Sequence, residues 1–87
     1  MSDDARAEIR RVIAEHGRLQ VDVATLADDT DLFAAGMTSH ASVNVMLGLE
    51  DAFDLEFPDS MLRRDVFASV DSIAEAIASL VGVTEDA

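Results

Sequence analysis

The sequence predicts an all-α domain. Three segments repeat apolar residues at helical spacing between capping residues. Only Leu19 to Val23 alternates as a strand would, and no second alternating run exists to pair with it. With 87 residues the chain makes one small domain, and with no Cys it has no disulfide frame, thiolate metal site or cysteine nucleophile.

The first helix is expected from Asp4 to His16. Ala5, Ile9, Val12 and Ile13 share one face, Asp3 and Asp4 suit the positive end, and Gly17 is the expected left-handed stop. His16 beside it is read as structural. Residues 18–38 form a long connection, with Leu19, Val21, Val23, Leu26, Leu32 and Phe33 available to pack it down. Within it, Asp28-Asp29-Thr30-Asp31 lacks the spaced ligands, central Gly and terminal Glu of a calcium loop, so it reads as solvated capping acids. The middle helix is expected from Ser39 to Phe53, with Thr38 as N-cap and Gly48 costing about 1 kcal/mol relative to Ala. A short helical turn is expected around Ser60–Asp65. The last helix is expected from Val70 to Val81, capped by Ser69 and ended by Gly82. Val70, Ile73, Ile77, Leu80 and Val81 form its buried stripe, and the tail 83–87 is expected to fray.

The charge is lopsided. Eighteen acidic residues face six basic ones, all Arg, for a net charge of −12. Nucleic acid and anionic membranes should repel such a chain, and no apolar run is long enough to span a bilayer. With no basic region followed by an apolar run at the N-terminus, a cytoplasmic protein is expected. Between Arg18 and Arg63 lie nine uncompensated acids: Asp22, Asp28, Asp29, Asp31, Glu50, Asp51, Asp54, Glu56 and Asp59. They make either a solvated face or a docking surface for basic partners.

The middle helix carries two apolar strips. Ser42, Val45, Met46, Leu49, Ala52 and Phe53 form the expected core face, with Met46 as filler. Val43 and Leu47 fall on a different side with His40, flanked by Glu50 and Asp51. A surface helix needs one buried stripe. Val43 and Leu47 therefore either pack under the long connection or stand exposed for a partner, and periodicity leaves both open.

The segment Asp31-Leu32-Phe33-Ala34-Ala35-Gly36-Met37-Thr38-Ser39-His40 resembles the modification-site motif of acyl carrier proteins, where a Leu and a Gly precede Asp-Ser-Leu. The likeness continues through Val43, Leu49, Glu50, Phe53 and Glu56-Phe57-Pro58-Asp59 to Asp71, Ile73, Ala74 and Ile77. It implies a four-helix bundle with a short third helix and a long loop between the first two helices. It implies one carrier domain over 1–82, with 83–87 as a flexible tail. By the same resemblance Ser39 would carry a covalent 4′-phosphopantetheine arm taken from coenzyme A. Thr38, His40, Val43, Asn44, Leu47, Glu50, Asp51, Arg63 and Arg64 would form the partner surface. Implied partners are a phosphopantetheinyl transferase, an acyl- or aminoacyl-loading ligase and a downstream acceptor enzyme, meeting a monomeric carrier.

Two residues depart from the family pattern: Thr38 stands for Asp and His40 for Leu. The Thr-Ser-His triplet looks more like small bacterial aminoacyl carrier proteins, which are loaded by stand-alone ligases related to seryl-tRNA synthetases. Arg63 and Arg64 also depart from the acidic carriers of fatty acid synthesis. No catalysis is expected of the chain itself. His40 is adjacent to Ser39 and adjacent helix positions do not face each other, so no base activates the hydroxyl. The rival expectation is an acidic helical interaction module without a prosthetic group, docking through Val43 and Leu47. A small hydrolase is a poor fit, since no nucleophile–base–acid set is available in so short a chain.

Overall fold

The structure is a computed structural model that describes residues 3–19 and 21–85. Three α-helices carry the fold: α1 (Asp3–His16), α2 (Ser39–Phe53) and α3 (Val70–Glu85). Single 3-10 turns at Val23–Thr25 and Asp59–Met61 lie in the connections, and no strand occurs among the described residues. No described helix is long and apolar enough to cross a membrane.

Helix α1 packs against both α2 and α3. Its Ile9, Val12 and Ile13 meet Val45 and Leu49 of α2 and Val70, Ile73 and Ile77 of α3, all buried in one core. Each contributes about 1.5–3 kcal/mol relative to exposure. Phe57 and Phe67 close one end edge to face, with centroids 5.3 Å apart. On the outer face of α1, Arg11 donates to Glu8 and Glu15, and the Glu8 bond holds that carboxyl below its usual range.

The long connection packs down as its apolar content requires. Val23, Leu32 and Met37 are buried, and Leu19, Leu26 and Phe33 lie against the core, while Val21 stays exposed. Two backbone bonds tie this segment to the start of α3: Leu32 N–H to Ala68 O (2.6 Å) and Asp71 N–H to Asp28 O (2.9 Å). Arg6 donates to Asp28 (3.3 Å) and Asp71 (2.6 Å), and Arg10 to Asp28 (2.5 Å) and the Val23 carbonyl (2.7 Å).

That network corrects the reading of nine uncompensated acids. Asp28 is paired with two arginines of α1. Asp22 accepts from Ala24 N–H (3.0 Å), Asp31 from Phe33 N–H (2.9 Å) and Glu50 from Phe57 N–H (2.9 Å). Four of the nine thus hold backbone or arginine in place.

Other boundaries shift for local reasons. Gly17 does not make the left-handed stop: its N–H still donates to Ile13 O (2.7 Å), and Arg18 takes the positive φ of 55°. Gly82 does not end α3, which runs on to Glu85; a single glycine costs only about 1 kcal/mol in a helix. Val83, Thr84 and Glu85 are therefore helical. The turn expected around Ser60–Asp65 begins one residue earlier as a 3-10 turn, and no third α-helix forms between α2 and α3 among the described residues. In α2 the buried positions are Ala41, Val45 and Leu49, with Ser42, Met46, Ala52 and Phe53 only half-buried at the margin. Of the expected α3 stripe Val70, Ile73 and Ile77 are buried and Leu80 is half-buried against the core, while Ala74 and Ala76 are buried as well. Gln20, Asp86, Ala87 and the side chains of Asp3, Asp4 and Val81 lie outside the described residues.

Candidate functional site

The site is assembled where the long connection becomes α2. Leu32 opens a tight turn whose first amides are capped by the Asp31 carboxylate, at 2.9 Å from Phe33 N–H and 3.4 Å from Ala34 N–H. The turn closes with two nested bonds, Met37 N–H to Leu32 O (3.0 Å) and Gly36 N–H to Phe33 O (3.2 Å). This is the Schellman pattern, which requires positive φ at the residue Gly36 occupies (118°) and brings together the apolar residues that flank it. Leu32 and Met37 are that apolar pair, and both are buried. The chain reverses at Gly36 and is anchored at Met37, and it can start a helix only two residues later.

Thr38 starts it. Its extended backbone (φ −83°, ψ 164°) and its hydroxyl, accepting from Ala41 N–H at 3.0 Å, make it the N-cap of α2. Ser39 is the first helical residue and is exposed. Its carbonyl accepts from the Ser42 hydroxyl (2.6 Å). The N–H groups of Ser39 and His40 have no acceptor within the helix, because a helix leaves its first amides unpaired. An anionic substituent on Ser39 would meet those amides and the positive end of α2, and would have solvent on its outer side.

A groove of about 380 Å³ opens beside Ser39. Its floor is apolar: Phe33 from the connection, Val43 and Met46 from α2, and Leu62 and Phe67 from the segment before α3. Ser39, Ser42, Arg63 and Arg64 complete its lining. The guanidinium carbon of Arg64 lies over the Phe33 ring, 4.0 Å from its centroid. Arg63 pairs with Asp65 at 3.4 Å, with both side chains largely in solvent.

The expected partner residues divide into two groups. Val43 (50% exposed) and Leu47 (53%) stand in solvent one turn apart, which settles the alternative left open by periodicity. Asp51 continues their row one turn further, and Thr38 and His40 are exposed at its start. Asn44 is half-buried, and half-buried Glu50 accepts from Phe57 N–H through one carboxylate oxygen. Arg63 and Arg64 are exposed but belong to the groove. Sequence reading missed Leu62 (46% exposed), Phe33 and Phe67 as groove residues. The one signal available was an apolar residue set directly against an Arg pair.

Known proteins resemble this chain over most of its length. The family model described as phosphopantetheine attachment site matches residues 7–77. An aminoacyl carrier protein of Agrobacterium fabrum is 51% identical over 71 residues, covering 82% of this chain and 86% of that protein. A D-alanyl carrier protein of Streptococcus sanguinis is 33% identical over 78 residues, covering 88% and 95%. Among solved structures, a chain from an engineered Bradyrhizobium japonicum glycine:carrier protein ligase complexed with carrier protein from Agrobacterium tumefaciens and ATP matches with a TM-score of 0.85. It is 47% identical and covers 87% of this chain and 99% of that one. An exposed serine at a helix start, delivered there by a turn pinned by buried Leu32 and Met37, thus sits inside a match that spans most of the sequence: the chain belongs to the phosphopantetheine-binding carrier proteins, which bear a prosthetic arm and do no catalysis of their own.

Proposed function

We propose that Ser39 is the attachment residue, and that the chain carries a small amino acid as a thioester from a stand-alone ligase to an acceptor enzyme. The observation that carries this is the exposed Ser39 hydroxyl at the first position of α2. The names of the relatives, which include aminoacyl and D-alanyl carriers and a glycine ligase complex, support an aminoacyl cargo over a fatty one.

In this reading a separate transferase supplies base and metal. Ser39 Oγ attacks the pantetheine-side phosphorus of coenzyme A; the new O–P bond forms as the bond to the adenosine bisphosphate breaks, and the serine proton goes to the transferase. The bound arm supplies a terminal thiol, which a chain without Cys otherwise lacks. This chain's task is to expose Ser39 and hold it on a rigid helix end. The row Val43–Leu47–Asp51 is the proposed docking face, an apolar strip ending in an acid on a chain of net charge −12, suited to a partner with a basic rim. The segment 59–67 occupies the place of the short third helix in a four-helix carrier bundle. The carrier acts as a monomer in the cytoplasm.

Coexpression with an active phosphopantetheinyl transferase should raise the intact mass by one arm, and Ser39→Ala should show no gain. Incubating the modified protein with a glycine:carrier protein ligase, ATP and glycine should add one glycyl group. Wild-type protein left unmodified by a transferase proven on another carrier would refute the assignment.

A further inference from the structure

The groove beside Ser39 has the opposite sign to the molecule. The chain holds 18 acidic residues and 6 arginines. Yet the charged residues lining the groove are Arg63 and Arg64, and no described carboxylate is among its lining. Three of the other four arginines are committed: Arg6 and Arg10 hold Asp28 and Asp71, and Arg11 holds Glu8 and Glu15. The groove pair is not. Arg64 holds its guanidinium carbon over the Phe33 ring, and its N–H groups donate to no described residue. Arg63 has one loose, solvent-exposed contact to Asp65, at 3.4 Å and through Nε. Two guanidinium edges therefore remain available in an acidic protein, in the groove that Ser39 also lines.

We infer that Arg63 and Arg64 form an anion subsite for the phosphodiester carried on Ser39; this rests on Ser39 being the attachment residue. A serine hydroxyl is neutral and offers a guanidinium nothing electrostatic. Modification converts it to a phosphodiester that is fully anionic at neutral pH, bonded directly to the Oγ of Ser39, which lines the same groove. Guanidinium edges match phosphate oxygens in charge and in fork geometry, and an arginine already held over an aromatic ring is pre-oriented to use its edge. The amides of Ser39 and His40 complete the anion's surroundings from the helix side. The apolar floor of Phe33, Val43 and Met46 then lies under the first carbons of the arm. Its volume of about 380 Å³ falls in the range of small-molecule sites. The bond would tether the segment 59–67 to the start of α2, so the modified protein differs from the unmodified one in this segment and not only in its pendant thiol.

The test uses NMR on the full chain before and after transferase treatment, with intact mass recorded on each sample. The arginine Nε–Hε signals of Arg63 and Arg64 should move on modification, while those of Arg11 and Arg18 stay. The phosphorus signal of the modified wild type should move toward that of the same phosphodiester in urea-unfolded modified protein as salt is raised, and folded R63Q/R64Q should sit there already. A mass gain with stationary Arg63 and Arg64 signals, and one phosphorus shift shared by wild type and variant, overturns the subsite alone. Signals that move only when a ligase is added assign these arginines to a partner's carboxylates and overturn it equally. No mass gain removes the attachment reading and the subsite with it. Should R63Q/R64Q lose its helical circular dichroism, the wild-type arginine signals decide.

Discussion

At position 48 two preferences of the chain oppose each other. Alanine is the better helix former by about 1 kcal/mol, so glycine in the third turn of α2 needs a reason. A Cβ there would lie 2.7 Å from His16 Cδ2 and 2.8 Å from Val12 Cγ1, on the helix that crosses it. His16 is a partly exposed ring at a helix end and can swing aside. Val12 is buried and β-branched, with one strongly preferred rotamer in a helix, and cannot. Overpacking of this kind costs about 1–3 kcal/mol, which exceeds the propensity gain. Gly48→Ala should therefore lower stability by about 1 kcal/mol, read by urea unfolding. The loss should shrink in a Val12→Ala background, where the rigid obstacle is gone. A more stable Gly48→Ala protein would mean that α1 and α2 are not pressed together here.

At the scale of elements, legibility depended on whether the signal was local. The limits of α2 were readable because Thr38 caps one end by a bond to its own third neighbour and Asp54, with φ of 52°, reverses the other just before the extended turn to Pro58. Ser69 was readable for the same reason, since its hydroxyl accepts from Ser72 N–H at 3.1 Å. The stop at Gly82 failed because glycine weakens a helix without ending it. The stop at Gly17 moved one residue because the reversal fell on Arg18. The groove was not legible, since it joins the connection, α2 and the segment before α3, which meet only when folded. Nor was the Leu32–Gly36–Met37 turn understood from sequence, although its residues were singled out; its nested bonds give the physical reason for that spacing. The cap yields a test. Thr38→Ala should cost about 1 kcal/mol in thermal or chemical unfolding. Thr38→Asp, restoring the residue usual in carrier proteins, should keep the cap and gain from the positive helix end, leaving stability equal or slightly raised. A Thr38→Ala protein as stable as wild type would show that the hydroxyl bond to Ala41 is not what starts α2.

For the whole molecule the decisive quantity is the imbalance of charge. Salt acts on it in two opposed ways. It weakens the attractive cluster of Arg6, Arg10, Asp28 and Asp71, whose side chains remain 24–44% exposed. Exposed pairs of this type contribute at most about 1 kcal/mol each. Salt also screens the mutual repulsion of the excess acids, which leave a net charge of −12 on a body measuring 40 × 26 × 19 Å. At about 0.01 M ionic strength the screening length is about 30 Å, so acids across the whole molecule repel one another; at about 1 M it is about 3 Å, and only touching pairs interact. Six arginine–carboxylate pairs among the described residues are few against eighteen acids confined at that size. Repulsion outweighs attraction, and the melting temperature should rise as sodium chloride is increased across this range, with neutral osmolality controls to separate screening from exclusion effects. Asp28→Asn should lower the melting temperature at low salt and by less at high salt, because only its ion pairs are screened. A melting temperature that falls on adding salt would reverse the ranking and make the arginine cluster that fastens the long connection the principal electrostatic support of the fold.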